Sequence, residues 1–356
     1  MAESIRTMFQ GMAPDHRARV LMSSEFCEHI LSHESTKAGR PGVDGTDVDR
    51  TEHRARALSA IHDVIAREKA IAELSCGNAA GYLSECRHWA AYSPMGDYVA
   101  RKDSAGCWAL HRLPTIAGCI TLDLESPQAL HHEPRSGVLS QRSLPMTEGE
   151  CRHVSEKLCQ AMEAIDRAEP MYGSVVRNFV RRIIVRKSEE VGSDAARRYG
   201  SEHVPRQPGS IRLLNTHHPE LSVEACMESI MHESTHNFLA AWELTNGFFV
   251  ANDYKYRVVS PWSGNPIPNS SYVHAVFVYY VCHRLLKNHL ESSPGISAEA
   301  ETHIRNRLSV CAAGFLIEQK LSSRVMVMGG VNSDIGQMID QMQDCMKLQY
   351  RYGERK

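Results

Sequence analysis

Residues 232–236 read His-Glu-Ser-Thr-His, two histidines four apart with a glutamate directly after the first. On a helix, positions i and i+4 lie one turn apart on the same face. Both imidazoles can then reach one divalent ion while Glu233 stands beside a water bound to it. A carboxylate in that place serves as a general base or as a hydrogen-bonding partner of whatever the metal binds. The alternative is a pair of core histidines satisfied by hydrogen bonds, with Glu233 in an ion pair.

The element that must position these residues is a helix over 223–245. Ser222 can cap its N-terminus, Glu224 and Glu228 sit in its first turns, and Gly247 follows as a stop. Val223, Cys226, Met227, Ile230, Met231, Phe238, Leu239 and Trp242 supply enough apolar surface to bury it on more than one side.

Two histidines make an incomplete site. The extended metzincin pattern would need glycine at position 239 and histidine at 242, where the chain has Leu239 and Trp242. A carboxylate ligand from later in the chain has candidates in Glu243, Asp253 and Glu291, without a motif around any of them. His274 is the better third ligand. It lies 38 residues after His236 in a strongly apolar helical stretch, where metal ligation satisfies one nitrogen and leaves the other for a hydrogen bond. His283 on the same stretch faces the opposite side.

The composition of the 356 residues, 42% hydrophobic and 23% charged, is that of a folded globular chain, and the formal charge of −2 gives no electrostatic footprint for nucleic acid. A local basic run, Arg177, Arg181, Arg182, Arg186 and Lys187, is read as a solvated face, or else as a docking surface for an acidic peptide. No apolar stretch is long enough to span a membrane. The start, MAESIRTMFQGMAPDHR, lacks the apolar core of a secretion signal, so the expected location is the cytoplasm. Eleven cysteines without a C-x-x-C spacing read as reduced thiols. Oligomeric state is not legible.

Along the chain, periodicity predicts helices over 57–74 and 79–91, a Gly, Pro and Asp-rich loop over 37–49, and a strand over 117–124 followed by a loop holding His131 and His132. A helix over 148–168, a strand over 174–186 and a strand over 210–215 precede the metal helix. Helices over 272–290, 299–321 and 334–350 follow it, the last with Met338, Ile339, Met342 and Met346 as a core stripe. The expected fold is helix-dominated α+β: a metallopeptidase-like helix with a short sheet beside it, a mostly helical region over 1–150 and a metal-binding catalytic region over 151–356. The strand over 210–215 is expected to lie along the cleft and receive an extended peptide.

The run Met231-His-Glu-Ser-Thr-His-Asn-Phe-Leu, then Ser260-Pro-Trp-Ser-Gly-Asn-Pro-Ile-Pro, then Val273-His-Ala-Val-Phe, resembles the HExxH-type, 2-oxoglutarate-dependent peptide β-hydroxylases over roughly residues 170–320. The resemblance implies that His232, His236 and His274 hold Fe(II), that 2-oxoglutarate is the co-substrate, and that a peptide or amino-acid-derived substrate is hydroxylated, with Glu233 beside the metal. Family members carry basic residues where this chain has Ser263 and Ile267. Arg257 and Arg284 are therefore the candidates for the co-substrate carboxylate. Trp262 and Tyr272 are candidates to line the substrate channel. Three neutral imidazoles suit zinc equally, so the alternative is a Zn peptidase in which Glu233 is the general base.

Overall fold

The computed structural model describes residues 90–92, 98–102, 108–124, 143–188, 199–203, 209–246, 248–250, 256–326 and 331–353. The predicted helix over 57–74 and the loops over 37–49 and around His131 lie outside them. Of the helix predicted over 79–91, only the end is described, and it is strand: β1 (Ala90–Tyr92) pairs with β2 (Tyr98–Lys102), which pairs with β3 (Trp108–Arg112).

The chain is a helix-dominated α+β protein, with seven helices among the described residues and a mixed sheet beside them. In the sheet, β4 (Thr115–Ile116), β5 (Ile120–Asp123), β7 (Arg182–Ser188), β9 (Ser210–Leu214) and β8 (Gly200–His203) lie in that order, and β6 (Ser143–Leu144) pairs with the far end of β7. The inner strands β5, β7 and β9 are parallel, while β4 and β8 run antiparallel at the two edges.

The strand predicted over 117–124 is in fact a hairpin. Ala117 and Gly118 both take positive φ, and Ile116 pairs with Ile120 across a three-residue turn. The run over 174–186 holds two elements. Pro170 starts helix α2 (Pro170–Phe179), which buries Tyr172, Val175, Val176 and Phe179 at helical spacing. Only then does β7 begin, with Ile183, Ile184 and Val185 buried in succession because helices and neighbouring strands cover it.

The basic run in this region is neither a solvated face nor a docking surface. Arg182 and Arg186 are buried in the central strand. Arg181 donates to the Cys119 carbonyl at 3.0 Å, Arg177 pairs with Asp166, and Lys187 pairs with Glu150 at 2.7 Å.

Helix α1 (Glu148–Ala168) begins with a capping box: the Thr147 hydroxyl accepts from the Glu150 amide, and the Glu150 carboxylate accepts from the Thr147 amide. Burial acts to raise the Glu150 carboxyl. The Lys187 ammonium and the Thr147 donors outweigh it and hold the group at about 2, below the ordinary 4.5. A depressed carboxylate stabilises the fold fully above pH 4.5 and stops doing so as pH falls through about 2. After allowance for solvent screening the expected contribution is about 1 kcal/mol. Chemical denaturation between pH 5 and 2 is expected to show Glu150→Gln losing less stability than the parent; parallel curves would remove Glu150 as a source of that acid sensitivity.

Candidate metal centre

The HExxH residues lie on α3 (Val223–Asn246), the element around which the fold is assembled. Ser222 caps it as expected, its hydroxyl accepting from the Ala225 amide at 3.2 Å. Cys226, Met227, Ile230, Met231, Phe238 and Leu239 are all buried, and α3 packs against α1, α2, α4 (Asn269–Ser292), α5 (Ala298–Ala313), β8 and β9. Ser234 and Thr235, between the two histidines, return their hydroxyls to the carbonyls one turn back, at 2.5 Å to Ile230 and 2.8 Å to Met231. The approach from β9 is pinned to α1. Lys157 is buried and donates to the carbonyls of Thr216 at 2.9 Å and His218 at 2.7 Å.

His232, Glu233 and His236 each offer a ligand atom, and these atoms lie within 4.8 Å of one another. This is the candidate metal site. His236 is its hub. Its ring centroid is 5.1 Å from that of His232, 5.6 Å from His274 and 5.4 Å from His203, the last nearly parallel at 16°. His274, on α4, joins through His236, the two Nδ1 atoms standing 3.3 Å apart. Two nitrogens bound to one ion at about 2.1 Å sit roughly 3–3.5 Å apart, but His274 approaches His236 only and is not part of the three-residue group whose ligand atoms all lie within 4.8 Å of one another.

Behind His274, its Nε2 faces the Glu243 carboxylate at 3.1 Å, and that carboxylate also accepts the Phe249 amide at 3.0 Å. A carboxylate on the far nitrogen fixes the ring and presents the near nitrogen's lone pair to a metal. Glu243→Gln is expected to weaken metal binding by up to about tenfold, no more than loss of His274 itself, measured by competition with a chelating dye. An unchanged affinity would separate His274 from the metal.

Burial favours the neutral form of the His203, His232 and His236 imidazoles, the form ligation requires. His203 and His232 are pushed down to about 4, and His236 is lowered further by burial together with its imidazole neighbours. Glu233 moves the other way: burial lifts it to about 7, against the opposing effect of hydrogen bonds from the Ser201 hydroxyl and the His203 amide. Its side chain is 3% accessible, whereas His232 keeps 30%.

Trp262 sits in the turn between β10 (Arg257–Val259) and β11 (Pro266–Pro268). Its indole N–H donates to the Cys311 carbonyl at 3.0 Å, and the ring stacks on Tyr279 at 4.5 Å. Tyr279 in turn presents an edge-on contact to His232, 6.2 Å between centroids, so Trp262 backs the aromatic wall of the site. The same indole occupies the space a side chain at Gly314 would need. The helix predicted over 299–321 is divided, with α5 ending at Ala313 and α6 (Leu321–Met326) starting afresh.

Tyr272 is fully buried, its hydroxyl donating to the Leu321 carbonyl at 3.3 Å, so it packs in the core instead of offering surface to a substrate. Arg257 is exposed and bonds the Pro266 carbonyl at 3.3 Å. Arg284 is ten residues beyond His274, about 15 Å of helix rise away. His283 faces away from the site, its Nε2 at 2.9 Å from the Tyr350 hydroxyl.

Several residues of the site carry no motif. Ser201 and His203 come from β8, four residues whose chemistry is visible only once the strand lies against α3. Glu243 had a usable signal: seven residues after His236 is about two helical turns, hence the same face.

The strand predicted to receive a peptide, β9, is hydrogen-bonded on both sides, to β7 and β8, so no extended segment can pair with it; β8 is the edge. Among the described residues no helix is long and apolar enough to cross a membrane. A scan against protein-family models gives no match to this chain, and a search of curated proteins gives no significant relative.

Proposed function

We propose that the chain is a mononuclear, Fe(II)- and 2-oxoglutarate-dependent hydroxylase of a peptide or amino-acid-derived substrate. His232, His236 and His274 are the protein ligands in this reading. The observation that carries it is the approach of His274 to the HExxH helix, 3.3 Å between its Nδ1 and that of His236. The three segments that resemble the peptide β-hydroxylases are thereby drawn together: α3, the turn bearing Trp262, and the first turns of α4.

Three neutral nitrogens leave other positions of an ion open, which suits a chelating 2-oxoacid and dioxygen. When bound, iron with this co-substrate supplies the oxidising power to hydroxylate an unactivated carbon. The chain's own residues prepare the site. Glu243 fixes the His274 ring, Tyr279 and Trp262 form an aromatic wall on the side of His232, and buried Glu233 stands ready to accept a hydrogen bond or proton. Arg307 on α5 lies near enough to His232 for its charge to be felt there, but its guanidinium is engaged by Glu228.

A second reading, a zinc peptidase, is favoured by the position of Glu233. Its Oε1 lies 3.9 Å from His232 Nε2, where a carboxylate can take a proton from a metal-bound water. Anaerobic titration of metal-free protein with Fe(II) and 2-oxoglutarate separates the two. The hydroxylase is expected to develop the weak visible charge-transfer band of a chelated 2-oxoacid, and His232→Ala to lack it. Tight Zn(II) binding with no such band would transfer the assignment to hydrolysis.

A further inference from the structure

We infer that Ser201 is a positioning residue that keeps the Glu233 carboxylate beside the metal and off it, so that strand β8 decides how many protein ligands the ion receives. Alternation along β8 turns Ser201 and His203 to the face that meets α3, and turns Glu202 to the other, where it pairs with Arg212. The Ser201 hydroxyl donates to Glu233 Oε1 at 2.6 Å, and the His203 backbone N–H donates to the same carboxylate. The His203 ring lies flat against His236. One short strand therefore grips the HExxH carboxylate and covers a metal-facing imidazole.

The grip matters because Glu233 is within reach of ligation: its oxygen is among the three ligand atoms that lie within 4.8 Å of one another. A carboxylate that close to a divalent cation is drawn to it, and a small side-chain rotation brings an oxygen into coordination. The Ser201 hydroxyl opposes that rotation with a short hydrogen bond to Glu233 Oε1. Without it, Glu233 becomes a fourth protein ligand and closes a position that a co-substrate or water needs. A merely structural serine would cost stability when removed and leave the ligand field untouched.

This inference rests on the metal centre proposed above and not on its oxidative chemistry, so it is tested with Co(II) alone, without 2-oxoglutarate. Four Co(II)-loaded proteins are compared by visible absorption: parent, Ser201→Ala, Glu233→Gln and the double variant. In Ser201→Ala the bands are expected to weaken and move to shorter wavelength as coordination expands, with Co(II) binding tighter by about tenfold. The double variant and Glu233→Gln are expected to keep the parental spectrum, since the carboxylate is not a ligand in the parent.

A parental spectrum in folded Ser201→Ala overturns the inference. A changed spectrum in Glu233→Gln does the same without needing Ser201→Ala to fold, because Glu233 would then already be a ligand. Failure of the parent to take up Co(II) removes the metal centre and this inference with it. Absence of the 2-oxoglutarate band leaves the Co(II) result standing.

Discussion

His236→Ala is expected to lose its metal, with affinity for Fe(II) or Zn(II) falling by at least about a hundredfold while the protein stays folded. His236 is the histidine all the others meet: His232 one turn back on α3, His274 across from α4, and His203 on β8. Removing it deletes a ligand and leaves His274 without the nitrogen it faces at 3.3 Å. Alanine is the best helix former, so α3 itself should persist. Metal content after dialysis, read beside far-UV circular dichroism, checks both halves. One retained equivalent of metal in a folded His236→Ala protein would end the assignment of this cluster as a metal centre. His274→Ala is expected to fall less, by about tenfold, because His274 reaches the group through His236 alone. Full retention in that variant would strike His274 from the ligands.

Arg307→Met is expected to destabilise the protein by about 2–3 kcal/mol. Glu228, one turn before His232 on α3, is buried, and Arg307 from α5 holds it through its Nε and Nη2, which donate to the two carboxylate oxygens at 2.8 and 2.7 Å. The Glu228 carboxylate is the leading reason the guanidinium is pushed above its ordinary value. Truncating Arg307 leaves a carboxylate in the protein without its partner, beside the Cys311 thiol. Because a third of the Arg307 side chain is accessible, water recovers part of the loss, and the figure sits at the low end for a buried pair. Urea denaturation reads the effect. The double variant Glu228→Gln/Arg307→Met should lose less than Arg307→Met alone, since no charge is then stranded. An unchanged midpoint in Arg307→Met would mean the pair contributes nothing to holding α5 on α3.

Local signals carried the parts of this protein whose information is itself local. The cap at Ser222, the capping box at Thr147 and Glu150, and the apolar spacing of α3 and α4 each lie within a few residues of the element they define. The core stripe of the last helix, α7 (Ser333–Gly353), is of the same kind: Ile339, Met342 and Met346 are buried as their spacing requires, while Met338 is only half-buried at the edge of the core. Where two elements shared one apolar run, as in 170–188, composition could not divide them. Val, Ile and Phe serve a buried helix and a buried strand equally, and Pro170 marks only the start. The basic run in that stretch misled for a related reason. Charge reads as exposure only until the partners are known, and the partners of Arg177, Arg181 and Lys187 are 11, 62 and 37 residues away.

By itself the sequence determined that a helix carries His232 and His236 on one face with Glu233 next to them in the chain, because the 3.6-residue period makes the i, i+4 placement a property of spacing alone. Only the tertiary structure decided what surrounds them. Glu243 behind His274, Tyr279 against His232, and the β8 pair Ser201 and His203 gripping Glu233 and covering His236 are contacts between elements 31 to 47 residues apart, or carry no motif to mark them. Their roles come from distance and burial, which a linear pattern does not encode. The same limit governed the sheet: alternation identified β9 as a strand, but whether its edges were free depended on β7 and β8 lying on either side of it.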